Sequence, residues 1–120
     1  MISVQQRLCF VFSSIVLLAA CGEDQQPGGI HESASRNLAP ADAGIGAIYD
    51  RSCRSCHTIA ATGAPLTGDT QAWQSRLDKG MDTLVDNVVN GFGGMPPLGL
   101  CMDCDAEQFE ALILFMAKGS

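Results

Sequence analysis

Apolar positions change their spacing along this chain. Residues 8–20 form a mostly apolar run, residues 22–40 are polar and rich in Gly, Pro and Ser, and from about residue 41 apolar side chains recur at helical intervals. Ala43, Ala47, Ile48 and Tyr49 predict a weakly amphipathic first helix running into Cys53, loosened by Gly44 and Gly46. Asp69 is placed to cap a second helix over residues 70–79, with Gly80 as its stop. Asp82 is placed to cap a third over residues 83–90, stopped by Gly91. Asp105 caps the last, with Gln108 at the third helical position where a capping box wants Glu or Gln. In that helix Phe109, Leu112, Ile113 and Met116 repeat at i, i+3, i+4, i+7, an apolar stripe expected to cross the first helix around Tyr49. The pattern predicts an all-α domain of about four short helices with long loops.

The N-terminal pattern reads as targeting rather than fold. One basic residue in the first seven, an apolar run of 13 residues and small residues after it have the layout of a secretory signal peptide, too short to span a bilayer comfortably. Leu18-Ala19-Ala20-Cys21 resembles the lipobox of bacterial lipoproteins, which implies cleavage before Cys21 and acylation of that cysteine. The alternative is ordinary cleavage near Ala20 with Cys21 left as a spare thiol. Gly22, where an aspartate would suggest inner-membrane retention, favours the outer membrane over the inner. The expected division is therefore a lipoprotein signal over 1–20, a flexible tether over 21–40 and a folded domain over 41–120. About 20 flexible residues reach roughly 25 Å, and His31 reads as a solvated tether residue.

A chain of 120 residues holds at most one small domain. From Cys21 onward it carries six Lys and Arg against 13 Asp and Glu, a balance of −7. That favours partners with basic docking surfaces and disfavours nucleic acid and direct adhesion to anionic lipid, leaving a lipid anchor as the only membrane attachment.

The chemistry is concentrated in Cys53-Arg54-Ser55-Cys56-His57, a CxxCH run, the attachment signature of a c-type haem. Two thiols three residues apart lie on one turn, where each can form a thioether to a porphyrin vinyl group, and the next residue offers an imidazole to the iron. Cys101 and Cys104 form a second CxxC, so a four-thiolate zinc site is the competing reading. The separation of the pairs is far greater than in zinc ribbons, and zinc has no use for His57. Cys101 and Cys104 themselves read as a structural staple, with a thiol-disulfide redox centre as the alternative. Arg51 and Arg54 flank the haem cysteines and read as solvated.

A sixth iron ligand separates an electron carrier from a gas-binding or catalytic haem. Gly93-Gly94-Met95-Pro96-Pro97 fits that role, because glycines allow close backbone approach and prolines stiffen an extended segment. Met116 belongs to the apolar stripe, Met81 precedes a helix, and Met102 is confined between Cys101 and Cys104, so Met95 is the expected ligand.

With these strings, Gly63-Ala64-Pro65, Gly68-Asp69 with Trp73, Lys79-Gly80-Met81-Asp82-Thr83-Leu84, and Met95-Pro96-Pro97 followed by Cys101-Met102-Asp103-Cys104 make about 65 residues resemble a class I c-type cytochrome, in detail the cytochrome c5 branch. The resemblance implies one covalent haem c packed among the helices, thioethers at Cys53 and Cys56, and axial ligation by His57 and Met95. It also implies a carbonyl of Pro65 accepting the second ring N–H of His57, Trp73 near the haem propionates, and a small disulfide between Cys101 and Cys104. One departure is Ile45, between Gly44 and Gly46, where the family usually shows glycine one turn before the aromatic. The expected function is single-electron transfer by a periplasmic, lipid-anchored monohaem carrier, not an enzyme, serving a terminal oxidase or periplasmic reductase. The alternatives are a haem peroxidase or ligand sensor, and a haem subunit of a larger respiratory complex.

Overall fold

Local capping chemistry sets most of the helix boundaries in the computed structural model, which describes residues 29–120. The signal segment, Cys21 and the upstream part of the tether lie outside the described residues. Helix α6 (Ala106–Lys118) starts with a complete capping box: the Asp105 carboxylate accepts the Gln108 N–H at 2.8 Å, and the Gln108 side chain accepts the Asp105 N–H at 3.0 Å. Helix α4 (Thr70–Leu77) starts where Asp69 accepts the Ala72 N–H at 3.0 Å, and it ends two residues before the expected point. Helix α5 (Met81–Asn90) differs at its start. Gly80, in the left-handed region at φ 89°, turns the chain so that Met81 is already helical, and Asp82 sits in the first turn as a favourable charge near the helix N-terminus rather than as the cap.

The first helix is composite. Asp42 caps α2 (Ala43–Ile48) by accepting the Ile45 N–H at 2.8 Å, a π-helical turn follows over Tyr49–Cys53, and α3 (Arg54–His57) completes it. The extra residue of a π turn rotates everything after it; Tyr49 is fully buried in the core, Cys53 packs half-buried at its edge and Cys56 is exposed. Gly44 and Gly46 stay within α2.

The stripe of α6 is the centre of the core, with Phe109, Leu112, Ile113 and Met116 all at most 4% exposed. Tyr49, fully buried, meets this helix through Phe115, ring edge to face at 4.9 Å, so the crossing lies one position beside the expected stripe. Ile45 packs partly buried against the same cluster and is accommodated there despite its bulk. From the other side α5 contributes Leu84 and Val88, spaced i, i+4, and α4 contributes Trp73. Each such side chain stabilises the fold by about 1.5–3 kcal/mol relative to exposure.

Cys101 and Cys104 are joined as a disulfide, with Cα atoms 5.4 Å apart, just before α6. The Arg51 guanidinium forks onto Asp103 at 2.9 and 3.0 Å, tying this ring to the π turn, and holds the Asp103 carboxyl below its usual range. Closing so short a ring restricts the unfolded chain by about 2 kcal/mol. Replacing both cysteines by serine is therefore expected to lower the unfolding free energy by about 2 kcal/mol with the optical spectrum retained, as measured by denaturant titration.

The tether begins to carry structure earlier than its composition suggests. Helix α1 (Glu32–Arg36) lies within it, Ser35 is fully buried, and Leu38 packs against the core cluster. Polar residues dominate the stretch, so periodicity gave no sign of a docked segment.

Candidate functional site

The composite first helix ends at the CxxCH run. Cys53 is half-buried and Cys56 exposed, and neither is in a disulfide. Burial pushes the Cys53 thiol up to about 11, keeping it neutral. His57, at the end of α3, is 7% exposed, and its Nδ1 lies 2.8 Å from the carbonyl of Pro65. A carbonyl only accepts, so Nδ1 carries the proton and Nε2 keeps its lone pair. Burial lowers the imidazole pKa, against the opposing Pro65 bond, and holds the ring in the neutral form that binds a metal.

The chain from Pro65 to Thr67 wraps this histidine from both ends. Its ring bonds Pro65, while its own carbonyl accepts the Thr67 N–H at 2.7 Å. Thr67 is fully buried and its hydroxyl pairs with the Tyr49 hydroxyl at 2.9 Å, which links the wrap to the core. Trp73 donates its indole N–H to the Leu66 carbonyl at 2.9 Å and stacks on the His57 ring at 5.8 Å between centroids. The indole N–H is thus committed to Leu66, and a bond from it to a propionate would require giving that up. The Tyr49 to Thr67 bond was not legible in the sequence, because Thr67 belongs to none of the motifs and the two lie 18 positions apart.

Met95 sits in a tight hairpin. Phe92 and Met95 exchange both backbone hydrogen bonds, at 3.1 and 2.9 Å, across Gly93 and Gly94, with Gly93 in the left-handed region at φ 58°. Gly91 is required as well, since at φ 80° a Cβ there would lie 2.9 Å from the Met95 carbonyl oxygen. The Met95 side chain is half-buried against the core cluster, its methyl end beside Gly99. Among its rivals Met116 is buried in the core, Met102 is 77% exposed, and Met81 packs at the start of α5. The zinc reading fails on chemistry: Cys101 and Cys104 are bonded to each other, leaving two thiols instead of four. Two free thiols on one turn, a neutral imidazole with an available lone pair and a thioether in a glycine-shaped loop fit a covalently attached iron porphyrin.

Comparison with known proteins agrees. A sequence family described as cytochrome c oxidase, cbb3-type, subunit III matches residues 40–116. Cytochrome c5 of Azotobacter vinelandii is 38% identical over 68 residues, 55% of this chain and 82% of that one. The chain belongs to the class I c-type cytochromes. Cytochrome c-555 of Prosthecochloris aestuarii is 43% identical over 79 residues, covering 59% of this cytochrome and 80% of its relative. Among solved structures, a mono-haem ferrocytochrome c from Shewanella putrefaciens superposes with a TM-score of 0.57 at 44% identity, over 62% of this chain and 91% of that one. A chain of an electron transfer complex of nitrite reductase with cytochrome c superposes with a TM-score of 0.55 at 34% identity, over 63% and 93%. The fold is thus the all-α class I cytochrome fold, the cofactor is covalent haem c, and this cytochrome works as an electron carrier rather than as an enzyme.

Proposed function

We propose that this cytochrome is a periplasmic, lipid-anchored carrier in which Cys53 and Cys56 hold the haem through thioethers, and His57 and Met95 take the two axial positions. The observation that carries the assignment is the available Nε2 lone pair of a buried, neutral His57 directly after two free thiols on one turn. When bound, the haem supplies a one-electron couple between ferrous and ferric iron. Pro65 fixes the imidazole and raises its basicity through the Nδ1–H bond, and the Trp73 face packs behind it. Met95 supplies a soft thioether that favours the ferrous state and raises the potential.

The lipobox-like Leu18-Ala19-Ala20-Cys21 supports acylation of Cys21, and Gly22 supports the outer membrane. Among the described residues no helix is long and apolar enough to cross a membrane, which is compatible with attachment by lipid alone. The balance of −7 from Cys21 onward suits basic docking surfaces on redox partners, a terminal oxidase or a periplasmic reductase. The resemblance to a cytochrome solved with nitrite reductase supports the reductase class.

The match to a family described as an oxidase subunit favours one second reading, a haem subunit held within a larger respiratory complex. The test is to purify the exported protein in mild detergent and record its oxidised and reduced spectra. Release as a single small protein with c-type bands and a weak far-red sulfur-to-ferric-iron band is expected. Stable co-purification with oxidase subunits overturns the free-carrier reading, and a missing far-red band overturns the ligation.

A further inference from the structure

Of the two residues between the haem cysteines, which the attachment chemistry leaves unconstrained, Arg54 is held on every side. The Arg54 guanidinium lies over the Tyr49 ring, 4.8 Å from its centroid, and every nitrogen has a partner. Nε donates to Asp50 at 2.6 Å, one terminal nitrogen to the Arg36 carbonyl at 2.6 Å, and the other to the Leu38 carbonyl at 3.0 Å. Two of these partners belong to the backbone of the upstream segment, which the sequence places in a tether.

That segment reaches back to the cofactor motif at other points. Ser35, fully buried, directs its hydroxyl at the His57 carbonyl at 3.4 Å. Glu32 accepts the Ala60 N–H at 2.6 Å, satisfying the turn that follows His57, and pairs with Arg36 at 3.1 Å. Leu38 enters a slot between two glycines: a Cβ on Gly68 would lie 2.6 Å from its methyl group, and one on Gly119 would lie 3.0 Å from it. The five-residue α1 is too short to persist as an isolated helix, so its existence rests on this docking.

We infer that residues 32–38 are a clasp fastened by Arg54 and Leu38 onto the haem-attachment segment, and that the clasp positions His57. The His57 carbonyl receives Thr67 from the domain and Ser35 from the clasp, so releasing the clasp removes one of the two donors that hold the ligand's backbone. It also uncovers the 57–60 turn to water, and water near the haem favours the ferric state.

The test uses the exported holoprotein and trypsin, reading the product that begins at Asn37. The Arg36 to Asn37 bond lies inside the clasp, with the Arg36 carbonyl engaged by Arg54. Leu38→Ser changes no charge, alters no residue of the haem motif and keeps the backbone carbonyl that Arg54 grips, removing only the side chain seated between Gly68 and Gly119; Arg54→Gln removes the fastener and Arg54→Lys keeps its charge. Cleavage after Arg36 is expected to accelerate at least tenfold in Leu38→Ser and Arg54→Gln and less in Arg54→Lys. The midpoint potential is expected to fall in Leu38→Ser with the far-red band still present. Native protein cleaved at Arg36 as fast as its urea-unfolded form overturns the clasp. Rapid cleavage in Leu38→Ser with an unchanged potential overturns the positioning of His57. Neither result bears on Cys21, whose acylation is read separately by mass.

Discussion

Met95→Ala is expected to abolish the far-red band and lower the midpoint potential by a few tenths of a volt, within the roughly 0.8 V range that axial ligands command. The haem should stay attached, because Cys53, Cys56 and His57 lie on a different segment from the hairpin. The size of the effect follows from the loop. Gly91, Gly93 and the paired Phe92 and Met95 backbones fix where the thioether projects, and Gly99 lies against its methyl end. Leu98 and Leu100 hold positive φ angles of 59° and 66°, a conformation costing non-glycine residues about 1–3 kcal/mol each and tolerated only where the surroundings impose it. The glycines and these two leucines mark a loop whose backbone is committed to one shape. Spectroscopy and potentiometry on the variant decide the matter: a far-red band that survives would assign the sixth position to another methionine, Met81 being the only half-buried candidate left among the described residues.

The CxxCH motif, the Met95 loop and the last helix could be read from the chain because each is encoded locally. A capping box needs two residues three apart, and Asp105 with Gln108 makes it as expected. Asp82 shows the limit of such reasoning, since it has a capping residue's chemistry but stands two positions past the cap once Gly80 has redirected the backbone. The π turn over Tyr49–Cys53 leaves no periodic trace, because one extra residue shifts the register without altering composition. Arg51 and Arg54 read as solvated, yet one forks onto Asp103, 52 positions away, and the other grips carbonyls 16 and 18 positions upstream. Partners this distant are chosen by the fold, and backbone carbonyls carry no residue identity for a sequence to reveal.

The second large effect is expected from Cys53→Ser with Cys56→Ser, which should yield a chain without covalent haem, with most of its helical circular dichroism and its cooperative thermal transition lost. A domain of about 80 residues has a core that supplies about 3–5 kcal/mol at best, and this one rests on Ile48, Tyr49, Trp73, Leu84, Val88 and the face of α6. Leu77, Met81, Val85, Met95 and Leu98 are only half-buried beside that core, an apolar surface suited to a porphyrin face. Covalent attachment keeps that face present at every moment of folding, which free haem at low concentration does not. Cys53→Ser and Cys56→Ser singly should each keep one thioether and an intermediate stability, so the series separates attachment from the loss of a thiol. A double variant that remains helical and melts cooperatively without haem would show that α6, Tyr49 and the disulfide suffice, and the porphyrin would then be a passenger of the fold instead of a part of its core.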